Sequence, residues 1–317
     1  MNLLGHDEAW REWRKAMAGE RMHHAWLLAG RRGVGKASFA HAAARELVGA
    51  APGDDGHHPD ILTLTYGAKD DKEERRRADG KPFELARSIR ITQIRAMQAR
   101  LGTRPTLGER RAIIIDPADD LERNAANALL KSLEEPPAGT YFLLVAHSPA
   151  RLLPTIRSRC RVLRFPTIAD SEMDRLLSRL SPGADDATRA AAIDAAAGSP
   201  GAALQFVELE LGKVAQAMRH ILERGDPDFQ LRGTLAGLIG ARPDRERIRA
   251  VLELARSVVA QRLEASLDDP RRVIDTHAEL VRLTGEQPTY NFDAGLLAME
   301  IGTLLARAAA ASERADG

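Results

Sequence analysis

Cysteine is nearly absent. Cys160 is the single one in 317 residues, which excludes an intrachain disulfide framework and a cysteine-based zinc site. Aromatic residues make up only 4%, while alanine and leucine are plentiful, so the core should be largely helical. No charge sign dominates. Lys+Arg is 46 against 45 Asp+Glu, a net charge of +1, which excludes holding nucleic acid by bulk charge alone. Arginine far outnumbers lysine, which leaves room for a local phosphate-contacting stripe. No segment approaches the ~18 consecutive apolar residues of a membrane span. Trp10, Arg11, Glu12 and Trp13 interrupt any apolar run near the start. The expectation is a cytoplasmic, soluble chain with no membrane partner.

What is present is ordinary in bulk and informative in pattern. Hydrophobic residues make up 44% and charged residues 29%, and the length suggests two domains, with room for three. Short apolar runs at 25–29, 61–65, 112–115, 141–145 and 161–165 read as strands, with helical patterns between them. The runs at 112–115 and 141–145 are apolar on both faces, as in strands covered by helices on each side. In 122–135, Ala126, Leu129, Leu130 and Leu133 mark one buried helical face, stopped by Pro136 and Pro137. Alternating elements predict an α/β domain with a parallel sheet. Beyond Pro166 the pattern turns helical, with segments at 170–180, 186–197 and from about 200 to 210. Further helices are broken at Gly225-Asp226-Pro227, Arg242-Pro243, near Asp269-Pro270 and at 285–288. Segment 69–81 carries six basic and five acidic residues and is expected to be a solvated loop.

Gly30-Arg31-Arg32-Gly33-Val34-Gly35-Lys36 follows a strand and opens a helix, the context of a phosphate-binding loop. Gly30, Gly33 and Gly35 would let backbone N–H groups face a phosphate, and Lys36 would reach its outer oxygens. The following position should carry the hydroxyl that ligates Mg²⁺, but it is Ala37. Ser38 cannot stand in, because one helical step turns the side chain by ~100°. The strand at 112–115 ends in Asp116, a position suited to Mg²⁺, followed by Pro117 where a water-activating Glu would be useful. Two parts of a hydrolytic site are thus missing while the loop skeleton persists. The loop is either a tight turn retained without nucleotide or a degenerate ATP or ADP site.

The string Asn127-Ala128-Leu129-Leu130-Lys131-Ser132-Leu133-Glu134-Glu135-Pro136-Pro137, with Ser158-Arg159-Cys160, resembles the signature motifs of bacterial clamp-loader subunits of the AAA+ superfamily. Supporting pieces are His24–Leu28, His58-Pro59-Asp60, Ile91–Arg95, Gly198–Ala203 and Asn291-Phe292 with Leu296, Leu297 and Glu300. The resemblance is dense over 20–205 and thin from 206 to 317. It implies a P-loop AAA+ core at 1–167, a small helical lid at 168–208 and an all-α C-terminal collar at 209–317.

Departures from the ATP-hydrolysing members point to the delta-prime type within that family. They are Ala37 for Ser/Thr, Pro117 for Glu, Ala146-His147 where a Thr ends the strand, and Gly201 for the Arg of the Gly-Ser-x-Arg motif. The four-cysteine zinc module common before the His-Pro-Asp motif is missing too, and His41, His57 and His58 make no credible substitute, so no metal is expected.

A lone loop arginine is usually a solvated or phosphate-contacting residue. The resemblance instead makes Arg159 an arginine finger acting in trans on a neighbour's ATP, a role suited to its fixed, permanently charged fork. Cys160 beside it is expected to be a packing residue. The implied function is a subunit without ATPase or polymerase activity of its own, within a DNA polymerase III holoenzyme. Its implied partners are gamma/tau-like motor subunits and a delta-like subunit, with the sliding clamp and primed DNA reached through the complex. The competing readings are an active motor subunit, a small-molecule P-loop kinase and a stand-alone DNA-binding module.

Overall fold

The computed structural model describes residues 6–51, 57–264, 270–286 and 293–309. Asn291 and Phe292 lie outside the described residues. The chain divides into two compact units, Met1–Thr167 and Ile168–Gly317.

In the first unit the elements run α1 (Asp7–Met17), β1 (Ala25–Ala29), α2 (Lys36–Val48), β2 (Ile61–Leu64), α3 (Asp71–Ala78), α4 (Ile91–Leu101) and β3 (Arg111–Ile115). They continue as α5 (Arg123–Glu134), β4 (Thr140–Ala146), α6 (Pro154–Arg157) and β5 (Arg161–Arg164). The five strands form one sheet in the order β2-β3-β4-β1-β5, and every pairing is parallel. Register places Leu27 beside Leu144 and Ile113 beside Phe142.

Side-chain alternation splits this sheet into two apolar layers. Leu27, Ile113, Ile115, Phe142 and Leu144 face α4 and α5. Trp26, Leu28, Ile114, Leu143 and Val145 face the aromatic cluster of Trp13 and Phe39 on α1 and α2. β3 is buried throughout, whereas β5, at the edge, buries only Leu163. The layers explain why the central runs are apolar at every position.

Two local expectations need correction. Segment 69–81 is solvated but contains a helix, α3, not a loop. Asp70 caps it by accepting from the Glu73 N–H at 3.0 Å. Acidic residues fill its first turn and Arg75, Arg76 and Arg77 its last, matching the helix dipole. Buried Glu73 also accepts from the Glu84 N–H at 2.7 Å, so the helix is tied to the returning chain. On α5 the buried face is Ala125, Ala126, Leu129, Ser132 and Leu133. Leu130 is only partly buried. Ser132 takes an inner position because Gln98 of α4 donates to its hydroxyl at 3.1 Å and to Ala128 O at 2.9 Å.

The second unit contains α7 (Asp170–Leu180), α8 (Asp186–Ala196), α9 (Pro200–Glu208), α10 (Gly212–Arg224), α11 (Gln230–Ile239), α12 (Arg245–Glu264), α13 (Pro270–Glu286) and α14 (Ala294–Arg307). Three of the starts carry side-chain caps, since Asp185, Ser199 and Asp293 each accept a backbone N–H three residues on. One apolar cluster runs from Ile168 to Ala308 and has no break at 208. The buried Asp226–Arg232 pair, 2.8 Å apart, fixes the entry to α11. Arg232 also donates to Thr303 at 3.0 Å, and its stem lies where a Cβ on Gly302 would come within 2.4 Å. No helix among the described residues is long and apolar enough to cross a membrane.

Candidate functional site

The carboxyl ends of β3, β4 and β1, the three central strands, lie side by side along one edge of the sheet, the place where open α/β sheets bind ligands. β1 delivers the Gly-rich loop there. Gly30 sits so close to β5 that a Cβ would lie 2.3 Å from Phe165 O, so no other residue fits. Gly33 and Gly35 have φ of 78° and 97°, and Gly35 caps α2 in the left-handed conformation. Lys36 is the first residue of α2 and is only 2% exposed. Its ammonium donates to Gly30 O at 2.6 Å and Arg31 O at 2.5 Å. The His6 ring is 2.5 Å from Val34 O on the other side of the loop.

The electrostatics are those of a cation-rich corner. Burial lowers the Lys36 pKa to about 8, against the opposing pull of Asp119 and Asp116. Burial pushes the Asp116 carboxyl up, while Arg32, Lys36 and His41 pull it back down. Burial likewise lowers His41, with Asp116 opposing. Asp116 therefore faces protein cations. Ala37 offers no oxygen, and Ser38 is exposed on the next helical step. The loop fits a phosphate group in shape, with Gly30, Gly33, Gly35 and Lys36 in place. The corner does not fit Mg²⁺-dependent hydrolysis.

Sequence reading missed Asp119. Its buried carboxylate accepts from the His147 N–H at 3.1 Å and the Ser148 N–H at 2.7 Å, fastening the end of β4 to the turn after β3. Its spacing of three from Asp116 was the only hint, and three-residue spacing carries no meaning until the turn's geometry is known.

Arg159 lies elsewhere on the unit, in the turn between α6 and β5. Its guanidinium is 2.5 Å from Glu134 Oε1 and donates to Thr155 O at 2.8 Å. Its side chain is 35% exposed. Ile156 is fully buried and Cys160 packs against the sheet core, so the turn is anchored on both sides of the arginine. Burial pushes the Cys160 thiol up to about 12, which makes it inert as a nucleophile.

Residues 5–169 match the model of the family described as DNA polymerase III, delta subunit. The chain belongs to this family. It is 35% identical to DNA polymerase III subunit delta' of Pseudomonas aeruginosa over 47% of this chain and 46% of that protein. It is 31% identical to the Escherichia coli subunit of the same name over 69% of this chain and 64% of that one. The matched stretch thus spans about half to just under two thirds of these relatives. A DNA polymerase III gamma subunit-related protein from Thermotoga maritima shares the fold, at TM-score 0.50 and 16% identity, over 94% of this chain and 98% of that one. The fold is an α/β core with a parallel sheet and a Gly-rich loop after β1, followed by an all-helical region.

The DNA polymerase III delta family match takes in the Gly-rich loop, Asp116, the 127–137 string and Arg159, and it stops where the helical unit begins. Within this family member the histidines considered for zinc do not converge. His58 Nδ1 accepts from the Asp60 N–H at 3.2 Å, and His41 lies beside Asp116. Among the described residues no cluster of His, Cys, Asp or Glu is placed to hold a metal ion. Asp60 serves structure instead. Its fully buried carboxylate accepts from Thr106 and Leu107 N–H groups at 2.6 and 2.8 Å, with Arg111 3.9 Å away.

Proposed function

We propose that the chain is a non-catalytic, delta-prime-like subunit of the DNA polymerase III clamp loader, and that it supplies Arg159 in trans to an ATP site on a neighbouring subunit. The observation that carries this is a contrast within one sheet. The Gly-rich corner keeps a phosphate-shaped loop but has lost the Mg²⁺ hydroxyl at Ala37 and the acidic neighbour of Asp116, while Arg159 stands partly exposed on an anchored turn.

In this reading Gly30, Gly33, Gly35, Lys36 and Asp116 form a degenerate site that can hold ATP or ADP without turning it over. The partners are gamma/tau-like motor subunits and a delta-like subunit. The sliding clamp and primed DNA are reached through the assembly, in the cytoplasm. Residues 168–208 act as a lid and 209–317 as the collar that drives assembly, although they share one apolar core.

The test is reconstitution with motor subunits. The isolated chain should show no ATP turnover. Arg159→Ala should assemble normally and depress clamp- and DNA-stimulated ATPase and clamp loading. Normal assembly with a wild-type ATPase rate would overturn the reading.

A further inference from the structure

We infer that Glu134 is a positioning residue that holds Arg159 folded back against its own chain, so that the guanidinium must leave a carboxylate before it can reach a phosphate. The inference rests on the trans-finger reading for its consequence, and on geometry alone for its first half.

Glu134 is the last residue of α5, and its carboxylate meets Arg159 at 2.5 Å, while the other arm of the guanidinium donates to Thr155 O at 2.8 Å. Two of the directions in which the fork could bind an anion are therefore turned inward. Neither backbone can drift to relax the pair. Leu133, one residue before Glu134, is buried, and its carbonyl accepts from the His24 ring at 2.8 Å. Pro136 and Pro137 follow after Glu135. Arg159 stands between buried Ile156 and the core-packed Cys160, with its own N–H bonded to Ile156 O at 3.1 Å.

A carboxylate at a helix C-terminus also meets the negative end of the dipole, so Glu134 gains from a cationic partner there. The pair is half-exposed, so water and salt screen it and it opens easily. Phosphate oxygens offer the same bidentate geometry with more charge, and they can displace the carboxylate. Such a latch keeps the finger off stray anions in the free subunit and yields to a correctly placed triphosphate in the assembly.

The latch can be read in the full isolated chain by the rate at which phenylglyoxal modifies Arg159, followed by peptide mass spectrometry. Glu134→Gln should accelerate modification about 1.5- to 5-fold, the range of exposed ion pairs. Glu135→Gln, a change at the exposed neighbouring carboxylate, should leave it unchanged. In the reconstituted complex Glu134→Gln should lower the apparent KM for ATP by a similar factor, and the shift should vanish in an Arg159→Ala background.

Unchanged modification of Arg159 in Glu134→Gln overturns the latch. A KM shift that persists without Arg159 overturns its route through the finger. If Arg159→Ala itself leaves the complex at wild-type rate while modification still accelerates, the finger reading falls and the latch is a purely local contact.

Discussion

The Gly-rich loop after β1 and the turn before β5 differ in how their charged side chains are held. At the Gly-rich corner the backbone is that of a phosphate site, but the side chains have closed it upon themselves. Lys36 bonds its own loop, and the Arg32 and Lys36 charges oppose the upward shift that burial gives Asp116. At the α6–β5 turn nothing is enclosed. Among the described residues Arg159 is held by a half-exposed carboxylate and one carbonyl. Packing maintains the backbone shape at Gly30, since its contact with Phe165 is the same whether or not a phosphate binds. A partly exposed arginine contributes little to folding, so a substitution there tests the proposed role in trans with little cost to the fold.

The largest expected effect breaks the comparison at its open corner. Arg159→Ala should cost up to ~10³–10⁵ in turnover at the one site it reaches, diluted in an assembly with several sites. The melting temperature should stay close to wild type, because the residue is partly exposed and its ion pair is screened by solvent. Arg159→Lys should rescue poorly, for want of a bidentate fork. Steady-state ATPase and thermal melts of the same preparations decide this.

At the closed corner the order reverses, with stability responding and activity silent. Asp119→Ala removes the acceptor from the His147 and Ser148 N–H groups and should cost about 1–3 kcal/mol. That would appear as a lowered denaturation midpoint with unchanged slope.

Ala37→Thr sharpens the contrast further. Restoring the hydroxyl should not restore turnover, because Pro117 still lacks a carboxylate and Asp116 still faces protein cations. Any hydrolysis above background in the isolated variant would show that one atom alone separates this corner from a motor site.

The smallest effect is a pH slope. Burial holds Lys36 at about 8, below its ordinary value near 10.5. Between these values the unfolded chain binds the extra proton, so this group makes stability rise as pH increases from about 8 to about 10.5. Lys36→Met should flatten that part of the stability curve relative to wild type in denaturant titrations.

Much of the site was legible because it is built from short contiguous strings. Gly30 to Lys36, Asp116-Pro117 and Ser158-Arg159-Cys160 each lie within a few residues, and each performs a local task set by backbone conformation or side-chain chemistry. Asp119 and Glu134 were not legible as site residues. Their partners are 28 and 25 positions away along the chain, at His147 and Arg159. Segment 69–81 failed for a different reason. Alternating charges look like a solvated loop until the Asp70 cap and the tether of Glu73 to Glu84 are seen to hold one side of a short helix.

The sequence by itself determined the parallel sheet, the Gly-rich loop, the absence of a hydroxyl at Ala37 and of a carboxylate at Pro117, and the helices near 170, 186 and 200. These follow from periodicity, glycine's freedom and capping, which act within a few residues. Only the tertiary structure decided that Lys36 turns onto its own loop, that Asp116 is buried near the Arg32 and Lys36 charges, and that Arg159 rests on Glu134. Those outcomes depend on which distant charges the fold brings within a few ångströms, and electrostatics falls with distance in space, not along the chain.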